Sequence, residues 1–131
     1  MRQIVGADHE FHDSAYAAGW AARFEPTPDR LRLFNLILAE LQTRIPPHGF
    51  VVELGLGPGY LAAHLLAAMP RIRYCGVDFS RPMLERALTR LRSDAMLRQA
   101  GLVEADGVCL PFADNTFDAA LAPFVVSAAP D

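Results

Sequence analysis

The sequence predicts an α/β domain on a mainly parallel sheet, and three observations lead there. Short apolar runs alternate with segments of helical period. The runs at 50–54 and 73–77 are apolar almost throughout rather than alternating, as in strands covered on both faces. The segments between them are long enough for helical crossovers, which run right-handed and return the chain to a parallel neighbour. Strands apolar on both sides call for helices on both faces of the sheet.

Residues 1–26 carry His9, His12, Tyr16, Trp20 and Phe24 with little periodicity. An alanine-rich stretch at 13–23, with Asp13 or Ser14 as cap, predicts a short helix. Thr27-Pro28-Asp29 opens the next one: a capping hydroxyl, a proline suited to the first turn and a carboxylate at the positive end of the dipole. Leu31, Phe34, Ile37, Leu38, Leu41 and Ile45 follow at helical spacing until Pro46-Pro47 stops them. Strand one is expected at 50–54, a helix at 58–69 with Leu61, Leu65, Leu66 and Met69 inward, and strand two at 73–77. A helix from about 80 to 99 carries Met83, Leu84, Ala87, Leu88 and Leu91. Strand three is expected at 102–104 and strand four at 117–122.

The bulk properties fit one ordinary globular domain: 131 residues, 52% hydrophobic and 21% charged. A formal net charge of −3, with arginines scattered through helical segments, argues against a nucleic-acid partner held on a basic face. Cys75 and Cys109 form no C-x-x-C pair and no histidine stands at metal spacing, so reduced thiols and no metal are expected. The first residues lack the apolar core of a secretion signal, and no run approaches 18 apolar residues. A cytoplasmic location without integral membrane association is the expectation.

The chemistry concentrates where strand one ends. Glu53-Leu54-Gly55-Leu56-Gly57-Pro58-Gly59-Tyr60 closes a strand and opens a helix. Glycines there let the backbone take positive φ and let a ligand approach without a Cβ in the way. The helix start behind them presents free N–H groups suited to an anionic group. The spacing departs from the dinucleotide fingerprint G-x-G-x-x-G, whose third position falls on Tyr60. Asp78, at the tip of strand two, can accept hydrogen bonds from both hydroxyls of a ribose. Val103-Glu104-Ala105-Asp106-Gly107 places another carboxylate just after strand three. Leu110-Pro111-Phe112-Ala113-Asp114-Asn115-Thr116-Phe117-Asp118 precedes strand four.

These four segments, in this order and spanning about 49–126, resemble the class I S-adenosylmethionine (SAM)-dependent methyltransferases. The last resembles the L-P-F-x-D-x-S-F-D stretch of the small-molecule and lipid branch, the type 11-like enzymes. The resemblance implies a Rossmann-like three-layer αβα sandwich with strand order 3-2-1-4 in the part present. It implies SAM as cofactor. Gly55, Gly57 and Gly59 would lie under its methionine portion, Glu53 would orient that loop and the amino group, and Asp78 would hold the ribose. Phe79 would pack on the adenine, Asp106 with Gly107 and Val108 would read its edge, and the backbone near Pro123 would face the methionine end. Proline donates no hydrogen bond at that last position, where the family often has a small polar residue.

The implied reaction is methyl transfer to a small-molecule or lipid acceptor. The alternatives are a non-catalytic SAM- or nucleoside-binding module, a fragment of a longer methyltransferase and, outside the family, an NAD-dependent oxidoreductase. No catalytic residue can be named. His9 and His12 are candidates for a general base, Tyr16 and Trp20 for the acceptor pocket, and His64 reads as solvent-facing. The family's sheet has seven strands and this chain reaches the fourth. It is therefore expected to be a C-terminally shortened single domain, with 1–28 covering the site and 29–131 an incomplete core. An open strand-four edge could pair two copies.

Overall fold

A computed structural model describes residues 25–93, 96–105, 113 and 115–122. The helix expected at 13–23, with His9, His12, Tyr16 and Trp20, falls outside them. So do Asp106, Gly107, Val108, Cys109 and Pro123.

Helix α1 (Pro28–Arg44) starts as its sequence dictates: the Thr27 side chain accepts a hydrogen bond from the Arg30 N–H at 3.2 Å, and Pro28 occupies the first turn. Such a cap is worth about 1 kcal/mol. Phe34, Leu41 and Ile45 turn inward, but Leu31, expected on the same face, is 39% exposed; Leu33 and Leu36 are exposed as well. The chain continues through β1 (Phe50–Leu54), α2 (Tyr60–Ala68), β2 (Arg73–Asp78), α3 (Arg81–Ser93), β3 (Ala100–Glu104) and β4 (Ala119–Leu121). The four strands form one sheet in the order β3-β2-β1-β4, as the resemblance implies, and every neighbouring pair is parallel. Val51 stands beside Tyr74 and Glu53 beside Gly76 across β1 and β2.

Register fixes which side chains share a face. Val51 and Tyr74 join the core made by Phe34 and Leu41 of α1, Leu61, Leu65 and Leu66 of α2, and Leu84, Ala87 and Leu91 of α3. Each fully buried leucine stabilises this layer by roughly 1.5–3 kcal/mol. Val52, Cys75 and Val77 point the other way and cluster with Ala105, Phe50, Leu54 and Phe117. All three described helices pack on the first face, and among the described residues no helix covers the second. No described helix is long and apolar enough to cross a membrane. Cys75 is a buried free thiol.

Several element ends differ from expectation. Helix α2 begins at Tyr60 rather than Pro58 because Gly59 is left-handed. Helix α3 ends at Ser93 rather than near Gln99, since Gln99 serves a different partner. Its side chain donates to the carbonyls of Met69 and Ile72, and its own carbonyl receives the Tyr74 N–H at 2.8 Å. Strand β3 starts two residues early, because pairing of Ala100 and Gly101 with Tyr74 and Cys75 outweighs their poor strand propensity. Strand β4 is shorter than expected. His64 is half-buried rather than solvent-facing: its Nε2 lies 2.8 Å from Asn35 Oδ1 and its ring 5.6 Å from that of Phe34.

Candidate functional site

The C-terminal ends of β1 and β2 meet in a loop at residues 55–59. Gly55, Gly57 and Gly59 all have positive φ. The Gly55 and Leu56 N–H groups donate to the Val77 carbonyl at 2.8 and 3.0 Å, which ties the loop to β2. Leu56 lies against Gly76 so closely that a Cβ at 76 would come within 2.6 Å of its side chain. At Gly59 an added Cβ would meet Ala87 of α3 at 3.1 Å, whereas one at Gly57 would meet nothing within 4 Å. The loop is thus packed from below and, among the described residues, open at Gly57.

Asp78 grips the same loop from β2. One carboxylate oxygen accepts from the Gly57 N–H at 2.8 Å and the other from the Ser80 N–H at 2.9 Å. Ser80 in turn caps α3 through the Met83 N–H. Asp78 is only 8% exposed, a burial tolerated because it is hydrogen-bonded. Phe79 sits half-buried beside it.

Glu53 lies beneath, fully buried, and Tyr74 donates its hydroxyl to Glu53 Oε1 at 2.5 Å. Burial pushes the Glu53 carboxyl up to about 8; the Tyr74 hydrogen bond opposes this, and the Asp78 charge adds to it. Burial likewise raises the Tyr74 phenol. Glu53 borders a cavity of about 20 Å³ lined with Arg30, Phe34, Leu56, Pro58 and Tyr60, among others. From α3, Arg90 donates to the Pro58 carbonyl at 3.1 Å and lays its guanidinium 3.6 Å over the Tyr60 ring. A wider groove of about 320 Å³ lies at the other end of α2, between Gln42, Ile45, Met69 and Arg71, and holds no carboxylate.

The structure therefore brings together Glu53, Gly55, Gly57, Gly59, Asp78 and Phe79 from the residues singled out in the sequence. Sequence reasoning passed over Leu56, Tyr74 and Arg90. Only Tyr74 left a signal: a tyrosine in a short buried strand must place its hydroxyl on a partner. Among the described residues no group of His, Cys, Asp and Glu is placed to hold a metal ion.

A parallel sheet in this order, with a glycine loop leaving the first strand and a carboxylate at the tip of the second, defines a Rossmann-like α/β domain. The family profile described as "Methyltransferase domain" matches residues 51–131, and the chain belongs to that family. It is similar to a demethylmenaquinone methyltransferase of Roseiflexus sp. (strain RS-1), 37% identical over 81 residues, 62% of this chain and 32% of that protein. Two solved structures share the fold. One is a Methanococcus maripaludis protein assigned as an S-adenosyl-L-methionine-dependent methyltransferase, with TM-score 0.77, 22% identity and coverage of 98% of this chain and 57% of that one. The other is a SAM-dependent methyltransferase of Thiobacillus denitrificans in complex with S-adenosyl-L-homocysteine, with TM-score 0.60, 20% identity and coverage of 88% and 40%. The chain spans between 28% and 40% of the length of three curated relatives it matches.

Proposed function

We propose that this chain carries the SAM site of a methyltransferase acting on a small-molecule or lipid acceptor. The observation that carries the reading is the pairing of an open Gly57 with a buried Asp78 that holds it: a backbone cradle beside a carboxylate. A carboxylate oxygen accepts more than one hydrogen bond, so Asp78 can grip the loop and accept from a ribose hydroxyl together. Gly55, Gly57 and Gly59 take the methionine portion, Glu53 faces the amino group from below, and Phe79 covers the adenine. Asp106, Gly107 and Val108 keep the adenine-edge role the resemblance gives them, and Pro123 the methionine end.

Bound SAM supplies a methyl group already activated on sulfonium. The chain's own residues bind and orient. Alignment of acceptor and donor supplies up to about 7–11 kcal/mol of the barrier in favourable cases, and a base is needed only where the acceptor must lose a proton. The demethylmenaquinone relative supports a lipid-like acceptor. The buried free thiol of Cys75 fits a reducing compartment, the cytoplasm. Strand β4 pairs with β1, and the expected pairing of two copies through its other edge stays part of this proposal. Light scattering should then give twice the chain mass; a monomer at every concentration would remove that part.

Equilibrium dialysis with radiolabelled SAM tests the reading. S-adenosylhomocysteine should displace the label and NADH should not; displacement by NADH alone would point to the oxidoreductase. Label transfer to a quinone or phospholipid acceptor would establish activity of the chain. Binding without transfer across such a panel would favour a non-catalytic module.

A further inference from the structure

We infer that Tyr74 is a positioning residue of this site: its phenol fixes the Glu53 carboxyl beneath the glycine loop, so that arrival of a primary ammonium above it expels the carboxyl proton to solvent. The inference rests on the SAM reading and adds to it a proton-coupled step controlled from β2.

The geometry is that of a held, switchable acid. Tyr74 and Glu53 are each about 1% exposed, on neighbouring strands, joined by one 2.5 Å hydrogen bond. Tyr74 is wedged in the helix-covered core and cannot follow Glu53 elsewhere. Among the described residues the groups facing the carboxyl are few. Tyr74 and Asp78 approach from β2, Arg30 from α1 and Tyr60 from α2 border the same small cavity, and Arg90 of α3 stands beyond Tyr60. Burial holds Glu53 near 8, so at neutral pH it is mostly protonated when the site is empty. An ammonium placed beside it favours the anion, as any close opposite charge does. The Tyr74 hydroxyl donates to that anion and stabilises it relative to the protonated form. Affinity for an amine-bearing ligand must then rise with pH until the empty-site carboxyl ionises by itself.

Calorimetric titration of the full chain with S-adenosylhomocysteine from pH 6 to 8.5 reads this directly. The dissociation constant should fall as pH rises, approaching tenfold per unit below the midpoint. Repeating the titration in buffers of different ionisation enthalpy should show protons released on binding. Methylthioadenosine, which lacks the amino-acid portion and so the α-ammonium, should bind with no such dependence. Tyr74→Phe should move the midpoint to higher pH, which a purely structural role would not do. Glu53→Gln, which retains an oxygen for Tyr74, should flatten the profile and serves if the phenylalanine variant fails to fold. Tight binding with a flat profile in the native chain, or an unmoved midpoint in folded Tyr74→Phe, overturns the inference alone. No binding at any pH by the folded chain overturns the SAM reading as well.

Discussion

At the C-terminal ends of β1 and β2 the chain buries two carboxylates and turns through three positive-φ glycines. At the opposite ends, around 45–50 and 69–73, it reverses on Pro46-Pro47 and on Pro70. There it satisfies its backbone locally, with Gly49 donating to Pro46 and Arg73 to Gly49, and leaves Arg71 and Arg73 in solvent. Among the described residues the buried polar side chains are Glu53, Asp78 and Ser80, all at the first end. Burying a carboxyl group, charged or neutral, opposes folding unless partners compensate, and this fold does it twice at one end. The second end follows the ordinary rule of polar groups outside.

The contrast can be broken most forcefully at Asp78. Asp78→Ala orphans the Gly57 and Ser80 N–H groups and should lower stability by about 2–4 kcal/mol in urea melts. Gly59→Ala comes next: φ is +86° and the new methyl would meet Ala87 at 3.1 Å. A loss of about 1–3 kcal/mol is expected, with SAM affinity falling as the loop shifts. Gly101→Ala on β3, where a methyl would meet nothing within 4 Å, should stay near neutral in the same assay.

Glu53→Gln sharpens the comparison through pH. Folding raises this carboxyl from 4.5 to about 8. The folded state therefore holds the proton more tightly, and the associated stability is complete below pH 4.5 and lost as pH climbs through 8. Melting temperature of the native chain should decline over that window relative to the glutamine variant. Arg90→Met, removing the stacking on Tyr60 and the bond to Pro58, should destabilise by about 1 kcal/mol. At the far end of α1, Arg44→Ala breaks an exposed pair with Glu40 and should change stability by less than about 0.5 kcal/mol.

The strand order and the glycine loop were legible because they depend on local patterns: apolar runs of strand length, helical spacing between them, and glycines at fixed offsets. What escaped depends on contacts distant in sequence. Nothing near Arg90 announces that it will reach Pro58, 32 residues away. Nothing near Gln99 announces that it will leave a helical pattern to bind the turn before β2. The Tyr74–Glu53 pair is set by register between two strands, which periodicity alone does not supply. Leu31 looked inward by spacing, yet the inward arc of α1 is narrower and centres on Phe34 and Leu41.

The central claim is that the cofactor meets this chain at the ends of β1 and β2. Amide chemical shifts followed by ¹H–¹⁵N NMR during addition of S-adenosylhomocysteine test it most directly. The account predicts saturable shifts at Gly55, Gly57, Gly59 and Ser80, with Gly49 and Arg73 unmoved. Shifts confined to Gly49 and Arg73, or none anywhere at millimolar ligand, would contradict it.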